Sequence, residues 1–288
     1  MALTTKLTVV LTGSSGYVGR LVIKELMEIG VNVVEVDQNH RINPIDLANE
    51  ENLSKLVLPS SYLLVHLAFP LPGSFKSKEF KKLIGRINSN FPKYFQPERS
   101  LFISSTAVYP LHFNANVEPA PWEIYGELKL ESEKVFASNF SNLTIFRPGT
   151  LVEISRKSSM MNFILQLMSS RIALVPGDGN MVHPFTYTHD LVDAIIRWVK
   201  DPSLPDGTFD LTSRKPITFN QISYLSRGSK PFLKLKLPEV ILSHIGSDRF
   251  PVNRISRWHF RGLFYNYHQQ SINVYQETFK EYKDVFTS

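Results

Sequence analysis

The sequence predicts an α/β protein, a doubly wound parallel sheet with a smaller C-terminal lobe. Three observations predict it. Short Val/Ile/Leu-rich runs recur through the first half of the 288 residues, amphipathic helical patterns separate them, and a glycine-rich turn follows the first run. Continuous apolar strands that alternate with helices belong to a parallel sheet covered on both faces.

The elements follow in order. LTVVLTG (Leu7–Gly13) reads as a buried strand, and Tyr17–Ile29 as a helix stopped by Gly30. Further strands are expected at Val31–Asp37, Ser61–Ala68, Ser100–Thr106 and Leu143–Pro148. Helical patterns lie near Glu50–Val57, Ser77–Phe95 and Pro121–Asn139. Past Gly149 the pattern loosens into short segments rich in basic and aromatic residues. Residues 1–150 are therefore expected to form one domain, to which a helix at 190–200 and a strand at 208–211 return. Residues 151–288 are expected to form mostly a second lobe over the ligand end of the sheet.

Composition narrows the class. An apolar content of 43% suffices for a buried core. No apolar run approaches the roughly 20 residues of a membrane span, and the first strand starts too early to leave room for a signal peptide. The chain has no cysteine, which removes disulfides and thiolate metal sites. A cytoplasmic location is the expectation. The net charge of +6 is uneven: Arg214–Ser288 carries 12 Lys+Arg against 5 Asp+Glu, hence +7, which leaves −1 for Met1–Ser213. The excess is either a solvated surface or a wall that attracts an anionic substrate. Nucleic acid is not expected, because the basic residues form no tract with interleaved aromatics.

The turn Thr12-Gly13-Ser14-Ser15-Gly16-Tyr17-Val18-Gly19 lies between the first strand and the first helix. Glycines there permit a tight turn and close approach of backbone to a pyrophosphate, which the helix N-terminus would hold. Gly13, Ser15, Gly16, Tyr17, Val18 and Gly19 are thus candidate cofactor residues. Asp37, at the end of the next strand, is placed to accept hydrogen bonds from an adenosine ribose and to repel a 2′-phosphate. NAD is the expected cofactor, with NADP left open by Arg20 and Arg41.

Tyr125 and Lys129 stand four apart in a helical pattern and so share a face. A nearby ammonium and an oxidised nicotinamide would lower the phenol's pKa from about 10. The phenol could then exchange a proton with a substrate hydroxyl or carbonyl while hydride moves. Ser105, at a strand end, would hydrogen-bond the reacting oxygen.

The order TGSSGYVG, VDQ, IDL, VHLA, SSTAVY, YGELKLESEK, FRPG and PGDGNMVHPFTYTHDLVDAI resembles the extended short-chain dehydrogenases, the NAD-dependent epimerase/dehydratase group. That resemblance runs from Leu7 to about Ile222 and implies a Rossmann-type dinucleotide-binding domain with a C-terminal substrate lobe. It implies that Ser105, Tyr125 and Lys129 are catalytic, with Lys129 also holding the nicotinamide ribose. Asp46, Leu47, Leu67, Ala68, Phe69 and Ser104, with Pro148 and Thr150, join the expected cofactor wall. Asn88 or Asn90 corresponds to a family helix asparagine. Asp190 is expected to cap the helix that follows it, with Asp193 in its first turn. His66 and His189 read as structural histidines, and no metal-site spacing is present.

The resemblance points to a nucleotide-sugar epimerase or 4-keto reductase. The pattern also departs from the family: His183 stands where sugar-nucleotide epimerases commonly place Arg, Pro110 stands where Gly is usual, and no acid follows Ser105. Thr106, His183 and Arg249 are candidate substrate residues, with Arg254 or Arg257 as further sources of phosphate contacts. The alternatives are a reductase of a small or lipid-like alcohol, suggested by Trp258, Phe260, Phe264, Tyr265 and Tyr267, and a non-catalytic NAD(P)-binding regulator. The family frequently pairs through helices that include the tyrosine helix, so a homodimer is allowed.

Overall fold

The computed structural model describes residues 7–70, 76–110, 112–114, 117–152, 172–212, 217–225, 233–237 and 266–268. Its centre is a six-stranded parallel sheet. The strands are β1 (Thr8–Thr12), β2 (Asn32–Val36), β3 (Leu63–His66), β4 (Arg99–Ile103), β6 (Leu143–Pro148) and β11 (Gly207–Leu211). Their spatial order is β11-β6-β4-β3-β1-β2. The short β5 (His112–Asn114) lies outside this sheet and pairs with β14 (Asn266–His268).

The alternation expected of a doubly covered sheet is visible residue by residue. Val9, Leu11, Leu63, Val65, Leu101, Ile103 and Phe146 enter one buried cluster, which α1 (Tyr17–Glu28) and α5 (Thr188–Lys200) complete. Val10, Leu64, Phe102 and Ile145 enter the other, under α2 (Glu50–Ser54), α3 (Ser77–Tyr94) and α4 (Ile124–Asn139). Successive strand side chains point to opposite faces, so an unbroken apolar run feeds both cores.

Some boundaries differ from the expectation, each for a local reason. α2 stops at Ser54, ahead of Leu58-Pro59, where the residue before proline disfavours helix. α4 starts at Ile124 because Glu123 is extended, with φ −145°. α5 starts at Thr188, so Asp190 is not the cap expected of it. Tyr187 holds that position, and Asp190 is a buried residue of the first turn, where its charge suits the helix dipole.

The remaining described strands form two-stranded pairs outside this sheet. β7 (Thr150–Val152) pairs with β10 (Phe185–Tyr187), β9 (Val182–His183) with β12 (Ile217–Thr218), and β8 (Ile172–Pro176) with β13 (Leu233–Leu237). The helix α6 (Phe219–Leu225) follows β12 directly. No helix among the described residues is long and apolar enough to cross a membrane.

Candidate active site

The strand order reverses direction between β1 and β3, and the loops after these strands diverge to leave a crevice. A cavity of about 500 Å³ opens there, lined by Gly13, Ser15 and Gly16 after β1, by Asp37 after β2 and by Leu67, Ala68 and Phe69 after β3. Asp46 and Leu47 close one side. Sequence reasoning missed Val36, Gln38, Asn39, Ile45, Pro70, Leu83 and Ile87 in this lining. Gln38 and Asn39 simply follow Asp37, whereas Leu83 and Ile87 are one turn apart on α3.

The glycine turn is shaped by close approach. Gly13 has φ +77°, and a Cβ there would lie 2.7 Å from the Ala68 backbone nitrogen. Only glycine satisfies both constraints. Asp37 is fixed by two backbone donors: Ser15 N–H donates to Oδ2 at 3.1 Å and Asn39 N–H to Oδ1 at 2.7 Å. Asp46 accepts from the Ala48 amide at 2.9 Å. Asn90, from α3, donates to the Leu47 carbonyl at 3.0 Å, while Asn88 accepts from Ser132 on α4. Of these two, Asn90 is the one that ties α3 to the cavity wall. Beneath the turn, His66 and the Thr12 hydroxyl meet at 2.5 Å, and His66 stacks on Phe102 and Phe136. Burial first, and the Lys129 charge second, hold His66 well below its usual pKa, so it is a neutral structural group.

The structure brings Ser105, Tyr125 and Lys129 together beside Phe69, which lines this crevice. Ser105 opens a 3-10 turn (Thr106–Val108) at the end of β4 and accepts from the Ala107 amide at 3.2 Å. It also hydrogen-bonds Tyr125, which stands in the first turn of α4. Gly126 lets α4 press on that turn: a Cβ there would lie 2.0 Å from the Ala107 carbonyl oxygen. One helical turn beyond, the Lys129 ammonium lies 5.9 Å from the Tyr125 ring centre and donates to the Ile103 carbonyl at 2.7 Å.

Electrostatics departs from the sequence expectation at Tyr125. Its pKa is pushed up, chiefly by burial and then by Glu123, against the hydrogen bond from Ser105. The phenol is thus held protonated, because burial disfavours its charged form. Lys129 moves the other way, to about 7, through burial opposed by Glu133. Glu133 is itself gripped by Arg147, with Nε–Oε1 at 2.9 Å and Nη2–Oε2 at 2.6 Å. Arg147 also donates to Tyr109, whose hydroxyl donates to Asp210.

The other candidates take varied positions. Ser104 is buried, and its hydroxyl has no hydrogen-bond partner among the described residues. Thr106 is buried in the turn after Ser105, Pro148 ends β6 and Thr150 begins β7. His183 is 1% exposed, meets the Thr150 hydroxyl at 2.8 Å and is lowered to about 3 by burial. Its connection to the site therefore runs through Thr150. Arg249, Arg254, Arg257 and the aromatic residues Trp258, Phe260, Phe264 and Tyr265 lie outside the described residues, and only the backbone of Tyr267 is described, in β14.

Residues 9–209 match the family model described as the NAD dependent epimerase/dehydratase family. The chain belongs to that family. It is accordingly an NAD-dependent enzyme of the epimerase/dehydratase kind, with the Rossmann-type fold expected of it. Protein CapI of Staphylococcus aureus is 23% identical over 242 residues, covering 69% of this chain and 71% of that protein. Among solved structures, the UDP-glucose 4-epimerase of Thermotoga maritima with UDP-glucose superposes with a TM-score of 0.60 at 18% identity, over 81% of this chain and 86% of that one. The UDP-glucuronic acid 4-epimerase of Bacillus cereus with NAD gives 0.59 at 18%, over 90% and 96%. A human epimerase family protein with NADPH gives 0.65 at 15%, over 91% and 90%. At these identities the superpositions show a shared fold.

Proposed function

We propose that this protein uses NAD to oxidise or reduce a hydroxyl-bearing carbon of a nucleotide sugar, as an epimerase or a 4-keto reductase. The observation that carries the reading is the Ser105–Tyr125–Lys129 group, with Lys129 buried and with Phe69 touching both Tyr125 and Lys129 while lining a glycine-walled crevice. The crevice fits the cofactor on its own chemistry, through the Gly13 cradle and an oriented Asp37 carboxylate.

Gly13, Ser15 and Gly16, with the N-terminus of α1, would hold the pyrophosphate. Asp37 would receive the adenosine ribose hydroxyls, Asp46 and Leu47 would border the adenine, and Lys129 would reach the nicotinamide ribose. Tyr17, Val18, Gly19, Leu67, Ala68, Phe69, Ser104, Pro148 and Thr150 complete this assignment. The bound dinucleotide supplies a hydride acceptor in its oxidised form and a hydride donor in its reduced form.

Tyr125 carries the proton. In the reductive direction its protonated phenol donates to the substrate oxygen, and Lys129 stabilises the phenolate that remains. In the oxidative direction the phenolate takes the hydroxyl proton. Ser105 holds the reacting oxygen in line with the phenol. Thr106, His183 and Arg249 are assigned to the substrate side, and residues 151–288 to a largely separate substrate lobe over the sheet domain of 1–150. An anionic substrate suits the basic segment Arg214–Ser288.

Two measurements test the reading. Thermal shift with NAD, followed by uridine, thymidine or guanosine diphosphate, should show stabilisation by NAD and by at least one diphosphate. A response to NAD alone would favour a small or lipid-like alcohol, and no response to NAD would remove the enzyme reading. Tyr125→Phe should then abolish turnover on a responding sugar nucleotide while NAD still stabilises the variant. Full turnover in that variant would sink the assignment of the proton donor.

A further inference from the structure

Phe69 follows directly on the strand–loop segment that walls the cavity, and the cavity reaches it. The same ring leaves the cavity lining and covers the proton-transfer pair. Its centre lies 3.9 Å from the Lys129 ammonium, nearer than Phe102 at 5.1 Å or Tyr125 at 5.9 Å. It meets the Tyr125 ring edge to face, at 5.5 Å and 89°. Phe80, from α3, backs it in a second edge-to-face contact at 6.0 Å. Lys129 is 3% exposed, and its nearest carboxylate partner on α4, Glu133, is already held by both nitrogens of an Arg147 fork. A buried ammonium needs compensation. Here it comes from one carbonyl, Ile103, and from the electron-rich faces of rings.

We infer that Phe69 is a positioning residue for Lys129 and Tyr125, its face retaining the lysine ammonium and its ring packing against the tyrosine at the boundary between cofactor cavity and proton-transfer pair. The inference rests on the proposed function only for its consequence in turnover. The contact itself belongs to the protein without any ligand. Desolvation by the ring disfavours the ammonium, whereas the ring quadrupole favours it. Removing the quadrupole while keeping the bulk separates these effects and leaves the ammonium worse off. The other titratable groups around Lys129 are Glu133 and Tyr125 on its own helix and His66 on β3, and none of them changes in such a variant.

The experiment uses the full chain without cofactor, labelled with 13C at lysine Cε, and follows the Lys129 signal by NMR across pH. Phe69→Leu should lower the titration midpoint of Lys129 by about 0.5–1.5 pH units, the span that a desolvated cation–π contact corresponds to. Phe69→Tyr, which keeps the quadrupole, should restore the wild-type midpoint. Should the leucine variant fold poorly, 3,4,5-trifluorophenylalanine at position 69 retains the shape with a weakened quadrupole, and should lower the midpoint in the same direction. A purely packing role would change the melting temperature and leave the Lys129 midpoint at its wild-type value in both replacements, which would overturn the inference. In the loaded enzyme, the pH profile of kcat should move with the NMR midpoint. An NMR shift together with full turnover by Tyr125→Phe would leave the Phe69 contact standing and remove only the proton-transfer reading.

Discussion

At the scale of single residues, the site is organised by what burial does to charge. Lys129 is held at about 7 against an ordinary value of 10.5, with burial as the main cause. Between those values the unfolded chain binds more protons than the folded one, so this group makes stability rise with pH. Its destabilising contribution is full below about pH 7 and vanishes above about pH 10.5. Lys129→Met should therefore stabilise the fold, with the largest gain over wild type at or below about pH 7 and a shrinking gain toward about pH 10. The loss of the Ile103 hydrogen bond adds an offset independent of pH. Urea denaturation at several pH values measures the difference, and a gap unchanged by pH would show that Lys129 titrates normally.

At the scale of elements, α4 carries Tyr125 and Lys129 of the proposed catalytic group, and its fit against the turn after β4 sets their geometry. Gly126→Ala would place a methyl 2.0 Å from the Ala107 carbonyl, so the helix must move. Displacement of Tyr125 from Ser105 by about an ångström should lower kcat by roughly 100-fold. NAD affinity should fall far less than kcat, because the glycine turn and Asp37 lie on other elements and only Lys129 moves with α4. Kinetics beside NAD titration separates the two, and wild-type kcat would mean that α4 tolerates the shift. The face shared by Tyr125 and Lys129 was legible in the sequence because helical spacing alone determines it. The strands were legible for a similar reason, since runs such as LTVVL serve both cores. The Arg147–Glu133 fork and the Phe69 cap were not legible, because they join different elements through tertiary packing. The direction of the Tyr125 shift escaped too, because desolvation depends on what closes over the phenol. The cap of α5 was misplaced by three residues, at Asp190 rather than Tyr187, since an acid in a first turn and an acid at a cap give similar signals in sequence.

At the scale of the whole molecule, the sheet is closed by distant sequence. β11 adds to β6, and Leu191, Val192, Ile195, Trp198 and Leu211 bury themselves against Val9, Leu11 and Phe146. A chain truncated to residues 1–150 should accordingly lack a cooperative thermal transition, although it contains the glycine turn and all three members of the proposed catalytic group. Calorimetry on that fragment is the check, and a sharp melt would show that the first half folds alone.

The late arrival of β11 and α5 also has a meaning for the nascent chain. At about 5–20 residues per second, several seconds separate the emergence of Phe146 from that of Leu211. Throughout that interval the ribosome presents a half-covered apolar slab, which is a natural substrate for holding chaperones.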